Sequence, residues 1–204
     1  MKVLCEYNFA TGDVGTVYPI GAQPEPLTGF MLLPLDRDLI EYDKNGIASF
    51  VGDLADLKAA SRDLIISEID ALGDALTASF TATEQKGWPN ALPEAVAYLA
   101  SNNAADAPAL AIGAAVRGIT VKARAEAIVA AAEITAVLPE IASGMRSRVE
   151  ALVDGAANEA AVGVHLATLS QKTRVILGAA ASGNKAAMLS AATNWETNSR
   201  TPSR

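Results

Sequence analysis

The sequence predicts an α+β fold, a short β-rich N-terminal segment followed by an Ala-rich, mainly α-helical bundle. Alanine is unevenly placed, with 3 of 42 before residue 53 and 39 after it. Aromatic residues and proline run the other way, with 6 of 10 and 4 of 9 before that point. At Asp53 the apolar pattern also changes from alternation to helical spacing. The predicted organisation is therefore a segment over residues 1–52 and a helical region over residues 53–204.

Within residues 1–52, Val3, Cys5, Tyr7 and Phe9 alternate with Leu4, Glu6, Asn8 and Ala10. That is the period of a half-buried strand. Thr11-Gly12-Asp13 offers a turn, and Val14, Thr16 and Tyr18 resume the alternation. Residues 2–20 thus read as a hairpin. Pro24, Pro26 and Pro34 exclude helix and restrict pairing, which predicts an extended excursion. Asn45-Gly46 supplies the positive φ angles of a tight turn between strands at residues 39–42 and 47–51.

Asp53 is a suitable N-cap, and Asp56 places a second carboxylate where the helix dipole favours it. Leu57, Leu64, Ile65, Ile69, Leu72 and Leu76 then form one stripe, predicting a helix to about Thr77 and a seam against another helix. Gly87, Pro89, Asn90 and Pro93 predict a break over residues 81–93. A short helix follows with Val96, Tyr98 and Leu99. Pro108 starts another, stopped by Gly118. Thr120 caps a long Ala-rich helix that Pro139 kinks or divides, with Ile128, Val129, Ile134, Leu138 and Ile141 along its seam. Helices over residues 158–177 and 185–195 complete the pattern. The polar tail, residues 197–204, reads as frayed unless a partner holds it.

Composition bounds the chemistry. The chain has 204 residues, half of them apolar, and a net charge of −7. Apolar content this high with modest charge argues against disorder over the whole length. Phosphate neutralisation needs clustered Lys and Arg, so a nucleic-acid partner is not expected. No apolar run of 18 residues is free of charge, so no membrane span is expected either. The N-terminus has no signal-like apolar run, which predicts a chain made and kept in the cytoplasm of its producing cell. One Cys and one His exclude an internal disulfide or a Cys/His zinc site within one chain. Residues 1–53 carry 8 acids and 3 bases, whereas residues 115–204 carry 7 acids and 10 bases. This difference is compatible with head-to-tail contacts between copies and equally with ordinary surface variation.

Tests for catalytic constellations point to a protein that is not an enzyme and needs no cofactor. His165 lies in apolar Val162–Leu166 and reads as an ordinary helix histidine. Gly12, Gly15 and Gly21 lack the Lys-Ser/Thr and the following helix of a phosphate loop. Asp36 and Asp38, around Arg37, read as a solvated strand face, since a hard cation needs several converging oxygens. Glu126 and Glu133 lack the histidines of a carboxylate metal site. Cys5 reads as a small core residue. Small side chains on several faces of a helix let neighbours approach closely, which suits oligomerisation, embedding in a larger assembly, or a self-contained bundle.

Tyr98-Leu99-Ala100 ends a short helix, Pro108 follows, Ala114-Ala115-Val116-Arg117-Gly118 closes the next helix, and Ala125-Glu126 lies in the Ala-rich helix after it. This order over residues 54–155 resembles the C-terminal halves of small tail-fibre-associated and tail-fibre assembly proteins of tailed bacteriophages. Their plan, a short β-rich part before a helical region, is similar, and Trp88 falls where such proteins often carry a tryptophan. The residues after 156 depart from the resemblance. The resemblance implies a non-enzymatic structural component of the virion tail, made in the host cytoplasm and engaged in host adsorption. Its expected partner is a tail-fibre or baseplate protein within an oligomeric assembly. The alternative it implies is an assembly chaperone absent from the mature virion. Residues 1–52 would dock by strand addition, and the helices would brace the fibre through the seam residues Leu57, Leu64, Ile65, Ile69, Leu72, Ile128, Ile134, Leu138 and Ile141.

Overall fold

The structure is a computed structural model that describes residues 1–22, 24–78 and 82–195. It is an α+β fold. Five strands come first: β1 (Lys2–Tyr7), β2 (Val14–Pro19), β3 (Met31–Asp36), β4 (Ile40–Tyr42) and β5 (Ala48–Phe50). The helices follow: α1 (Leu54–Thr77), α2 (Ala82–Ser101), α3 (Pro108–Arg117), α4 (Val121–Thr135), α5 (Leu138–Asp154), α6 (Glu159–Ala181) and α7 (Lys185–Thr193). The chain gathers into two compact units, Met1–Leu72 with Ser143–Val175, and Gly73–Ala142 with Ile176–Arg204.

In the first unit, β1 is the centre of an antiparallel sheet in the order β2-β1-β3. The hairpin over residues 2–20 is present, and β4 and β5 form the second one. Two expectations are corrected here. Pro34 does not lie in an extended excursion but inside β3, opposite Leu4. The second hairpin does not turn on Asn45-Gly46 alone. Asp43 Oδ1 accepts from the N–H groups of Asn45 (2.8 Å) and Ile47 (2.9 Å), and Gly46 takes φ +78°. This Asx-type loop replaces the tighter turn because the Asp43 side chain itself supplies the turn's hydrogen bonds.

Val3, Cys5, Tyr7, Leu33 and Leu35 are buried, and the register Val3↔Leu35 and Cys5↔Leu33 puts them on one face of the sheet. α1 starts with a reciprocal cap: Asp53 Oδ1 accepts from Ala55 and Asp56 N–H, and Asp56 Oδ2 accepts from Asp53 N–H. α1 buries Leu57, Ala60, Ser61, Ile65, Ile69 and Leu72. Ser61 satisfies its buried hydroxyl by donating to Leu57 O at 2.7 Å. α5 buries Met145, Val149 and Val153, and α6 buries Val162, Leu166, Leu169 and Thr173. Lys58 and Arg62 of α1 bond Asp154 at 2.8 and 2.7 Å, and Glu68 accepts from Ser170 Oγ at 3.0 Å. Lys2 pairs with Asp63. Contacts of this kind cross the sequence boundary at residue 52.

In the second unit, α2, α3 and α4 share a core of Ala95, Ala107, Leu110, Ala125 and Ile128. The expected break over residues 81–93 is corrected: α2 runs through Pro89 and Pro93. The two prolines are one turn apart, and both are exposed. The carbonyls deprived of an N–H partner therefore fall on the wet side of the helix, where water can serve them. Pro108 occupies the first turn of α3, and Gly118 closes it at φ +66°. Ala107 gives no side-chain cap, and Glu94 of α2 substitutes, its Oε2 accepting from Leu110 N–H at 2.8 Å. Thr120 caps α4 as expected, through Ala123 N–H at 3.1 Å. The long Ala-rich helix is divided at residues 136–137, with Pro139 in the first turn of α5. As one 34-residue run, Val121–Asp154 is long and apolar enough to cross a membrane by length and composition alone. Asn184 caps α7 through Ala187 N–H. The side chain of Trp88 and the tail at residues 197–204 lie outside the described residues.

Candidate interaction site

Docking by strand addition needs a free sheet edge with outward N–H and C=O groups. Arg37 N–H donates to Met1 O at 2.8 Å, which sets the parity of the β1–β3 ladder. Val3–Leu35, Cys5–Leu33 and Tyr7–Met31 are then the hydrogen-bonded pairs, and Leu4–Pro34 falls between them. The proline nitrogen, which has no hydrogen, faces outward at the middle of the β3 edge. A proline in that position blocks a further strand. On the other side of the sheet, β2 has β5 as its neighbour. The free edge of β4 is three residues long. The Arg37 guanidinium covers it, donating to Ile40 O at 2.6 Å and lying 4.9 Å from the Tyr42 ring centre. Asp36 ends β3 and Asp38 lies in the following 3-10 turn, both exposed, so they are not alternate positions of one strand face.

The remaining binding surface of residues 1–52 consists of side chains. Ile20, Leu27, Tyr42, Ile47 and Val51 are all large, apolar and exposed. The loop carrying Leu27 is fastened by Glu6, which is 1% exposed. Its Oε2 accepts from Thr16 N–H at 2.8 Å and its Oε1 from Leu27 N–H at 3.0 Å. Glu6 sits where the β1–β2 register shifts. A β-carbon on Gly15 would lie 2.7 Å from Glu6 Oε2, so that position needs glycine. The Thr16 N–H is the main cause that holds the Glu6 carboxyl below its ordinary range; burial opposes it and the Leu27 N–H reinforces it.

Where β1 meets α6, the Tyr7 hydroxyl donates to Glu159 Oε2 at 2.5 Å. Asn158 caps α6 beside it, through Ala161 N–H at 2.9 Å. Residues 9–12, Leu54 and residues 158–160 line a shallow cavity of about 400 Å³ there. Burial first, then the Glu159 bond, pushes the Tyr7 hydroxyl well up, so it stays protonated as a donor. Cys5 is fully buried, and desolvation pushes its thiol up to about 12. Such a thiol is a core group rather than a nucleophile. His165 is half-buried on α6, with its pKa lowered by burial. Among the described residues no three His, Cys, Asp or Glu side chains cluster as a metal site.

The expected seam residues divide between the units. Leu57, Ile65, Ile69 and Leu72 are buried in the first unit, and Leu64 is half-buried beside them. In the second, Ile128 belongs to the α2–α3–α4 core and Ile141 is buried on α5. Ile134 and Leu138 are half-buried, and Ile134 lines an apolar cavity of about 340 Å³ with Ala75, Leu76, Ala131, Thr135 and residues 177, 180 and 181. The surface that seam reasoning missed is the outer side of α3. Ile112 is 68% exposed and Val116 82% exposed, with Ile119 exposed just beyond. The signal was legible in PALAIGAAVR, which is apolar all round except for its last residue. Such a helix normally has both sides covered. Compared with known proteins, the chain matches no family model, no curated sequence and no solved structure.

Proposed function

We propose that this protein is a non-enzymatic structural component of a bacteriophage tail, associated with the fibre or the baseplate. It links or braces the fibre through apolar side-chain surfaces. The observation that supports this reading best is the α2–α3–α4 segment, which carries the sequence resemblance. Its inner side forms the Ala95–Leu110–Ile128 core, while its outer side presents Ile112, Val116 and Ile119 to solvent. Exposed apolar ridges of this kind mark protein–protein contacts. A second apolar group, around Ile20, Leu27 and Ile47, lies in the N-terminal segment. Because proline and Arg37 obstruct the sheet edges, the N-terminal docking is assigned to these side chains rather than to strand addition.

The test is light scattering of the chain alone and co-expressed with a tail-fibre protein encoded beside it. A mixed complex of fixed ratio that is lost in Ile47→Asp supports the reading. A chain indifferent to the fibre and baseplate proteins overturns it.

A further inference from the structure

We propose that a second copy of this chain docks antiparallel along the outer face of α3. Ala109, Ile112 and Val116 form a ridge at spacings of three and four, continued by Ile119 after the helix, and all four are exposed. The ridge bears no charge, and at Gly113 an added β-carbon would meet nothing within 4 Å, which leaves room for close approach. The two ends of this face differ in sign. Asp106, exposed, precedes the N-terminus of α3. Lys122, exposed in the first turn of α4, follows its C-terminus. A two-fold axis through the middle of α3 sets Ile112 of one copy against Val116 of the other, and Ala109 against Ile119. The same operation sets each Asp106 against the Lys122 of the other copy and opposes the two helix dipoles. A parallel arrangement would place like charges together. The ridge is thus complementary to itself in shape and in charge, as an isologous interface requires. Lys122 is free to turn to such a partner, since its pairing with Glu126 is long, 3.9 Å, and exposed.

Ten residues of helix span only about 15 Å. That is short for a standard interface, which covers about 800 Å² per partner, so the dimer is weak and concentration-dependent. The inference does not depend on the tail assignment.

Sedimentation velocity and light scattering over a concentration series test it on the full chain. The mass should rise from 21.0 kDa towards twice that value. Val116→Lys should raise the dissociation constant at least tenfold, with unchanged helical circular dichroism because the side chain is already in solvent. Val116→Asn serves as a second variant if the lysine perturbs folding. Lys122→Asp should also weaken association, and Asp106→Lys combined with Lys122→Asp should restore it. A mass fixed at 21.0 kDa at all concentrations overturns the proposal. So does association that the Val116 variants leave unchanged, or a charge swap that fails to restore what the single change lost.

Discussion

Gly163 is the point where the N-terminal hairpin rests on α6, and adding one methyl group there tests that contact. A β-carbon at Gly163 would lie 2.4 Å from Phe9 Cβ and 2.8 Å from Phe9 Cγ. Both distances are far inside van der Waals contact, and Phe9 Cβ can retreat only if its backbone moves. Phe9 is buried and edge-on to Tyr7, with ring centres 5.0 Å apart, so the displacement also loosens Tyr7. Overpacking of this kind costs about 1–3 kcal/mol, here near the upper end. Replacing a mid-helix glycine by alanine returns about 1 kcal/mol in propensity. The net expectation for Gly163→Ala is a loss of about 2 kcal/mol, or roughly 4–8 °C in melting temperature for a chain of this size. Gly144 in α5 is the internal control, because an added β-carbon there meets nothing within 4 Å. Gly144→Ala should stabilise by about 0.5–1 kcal/mol. Thermal and urea unfolding of both variants, each also in a Phe9→Ala background, is the assay. In that background Gly163→Ala should cease to destabilise. If it raises the melting temperature as Gly144→Ala does, or remains harmful without Phe9, the docking geometry is wrong.

Ile65 is fully buried, so Ile65→Asp should cost several kcal/mol, read as a lower urea midpoint, and Leu64→Asp at the half-buried neighbour clearly less; equal costs would contradict the assigned helix face. Because the Glu6 carboxyl is held below its ordinary value of 4.5, its contribution is present above that pH and lost as pH falls through the folded-state value. The melting temperature should therefore fall more steeply between about pH 5 and about pH 3 in the parent than in Glu6→Gln, and parallel curves would remove the latch. Glu94→Ala leaves Leu110 N–H without its acceptor and should cost about 1 kcal/mol in thermal unfolding, with no change expected if water served that group equally well.

Much of the fold was legible because its signals are local. Asp53, Thr120 and Asn184 announce helix starts by capping, and Gly118 announces a stop by its left-handed conformation. The alternation of Val3, Cys5 and Tyr7 reports a face that β1 does bury. What was missed depends on distant partners. β3 has no alternation and contains Pro34; it is a strand only because β1 lies beside it and the proline faces away. α2 continues through Pro89 and Pro93 because both stand on its exposed side, which spacing alone does not reveal. Glu6 read as the polar member of an alternating strand, yet it is buried, because the loop around Leu27 folds back to donate to it. The apolar outer side of α3 was visible in its sequence, but only the structure shows which side the α2–α4 core already covers.

The central claim, that this chain is a structural part of a phage tail, is tested most directly by quantitative mass spectrometry of purified particles from a phage that encodes it. The account predicts the chain in particles at a fixed ratio to the fibre or baseplate protein, retained through density-gradient purification. Its presence in the infected-cell lysate but not in particles would contradict the claim and assign the chain to assembly alone.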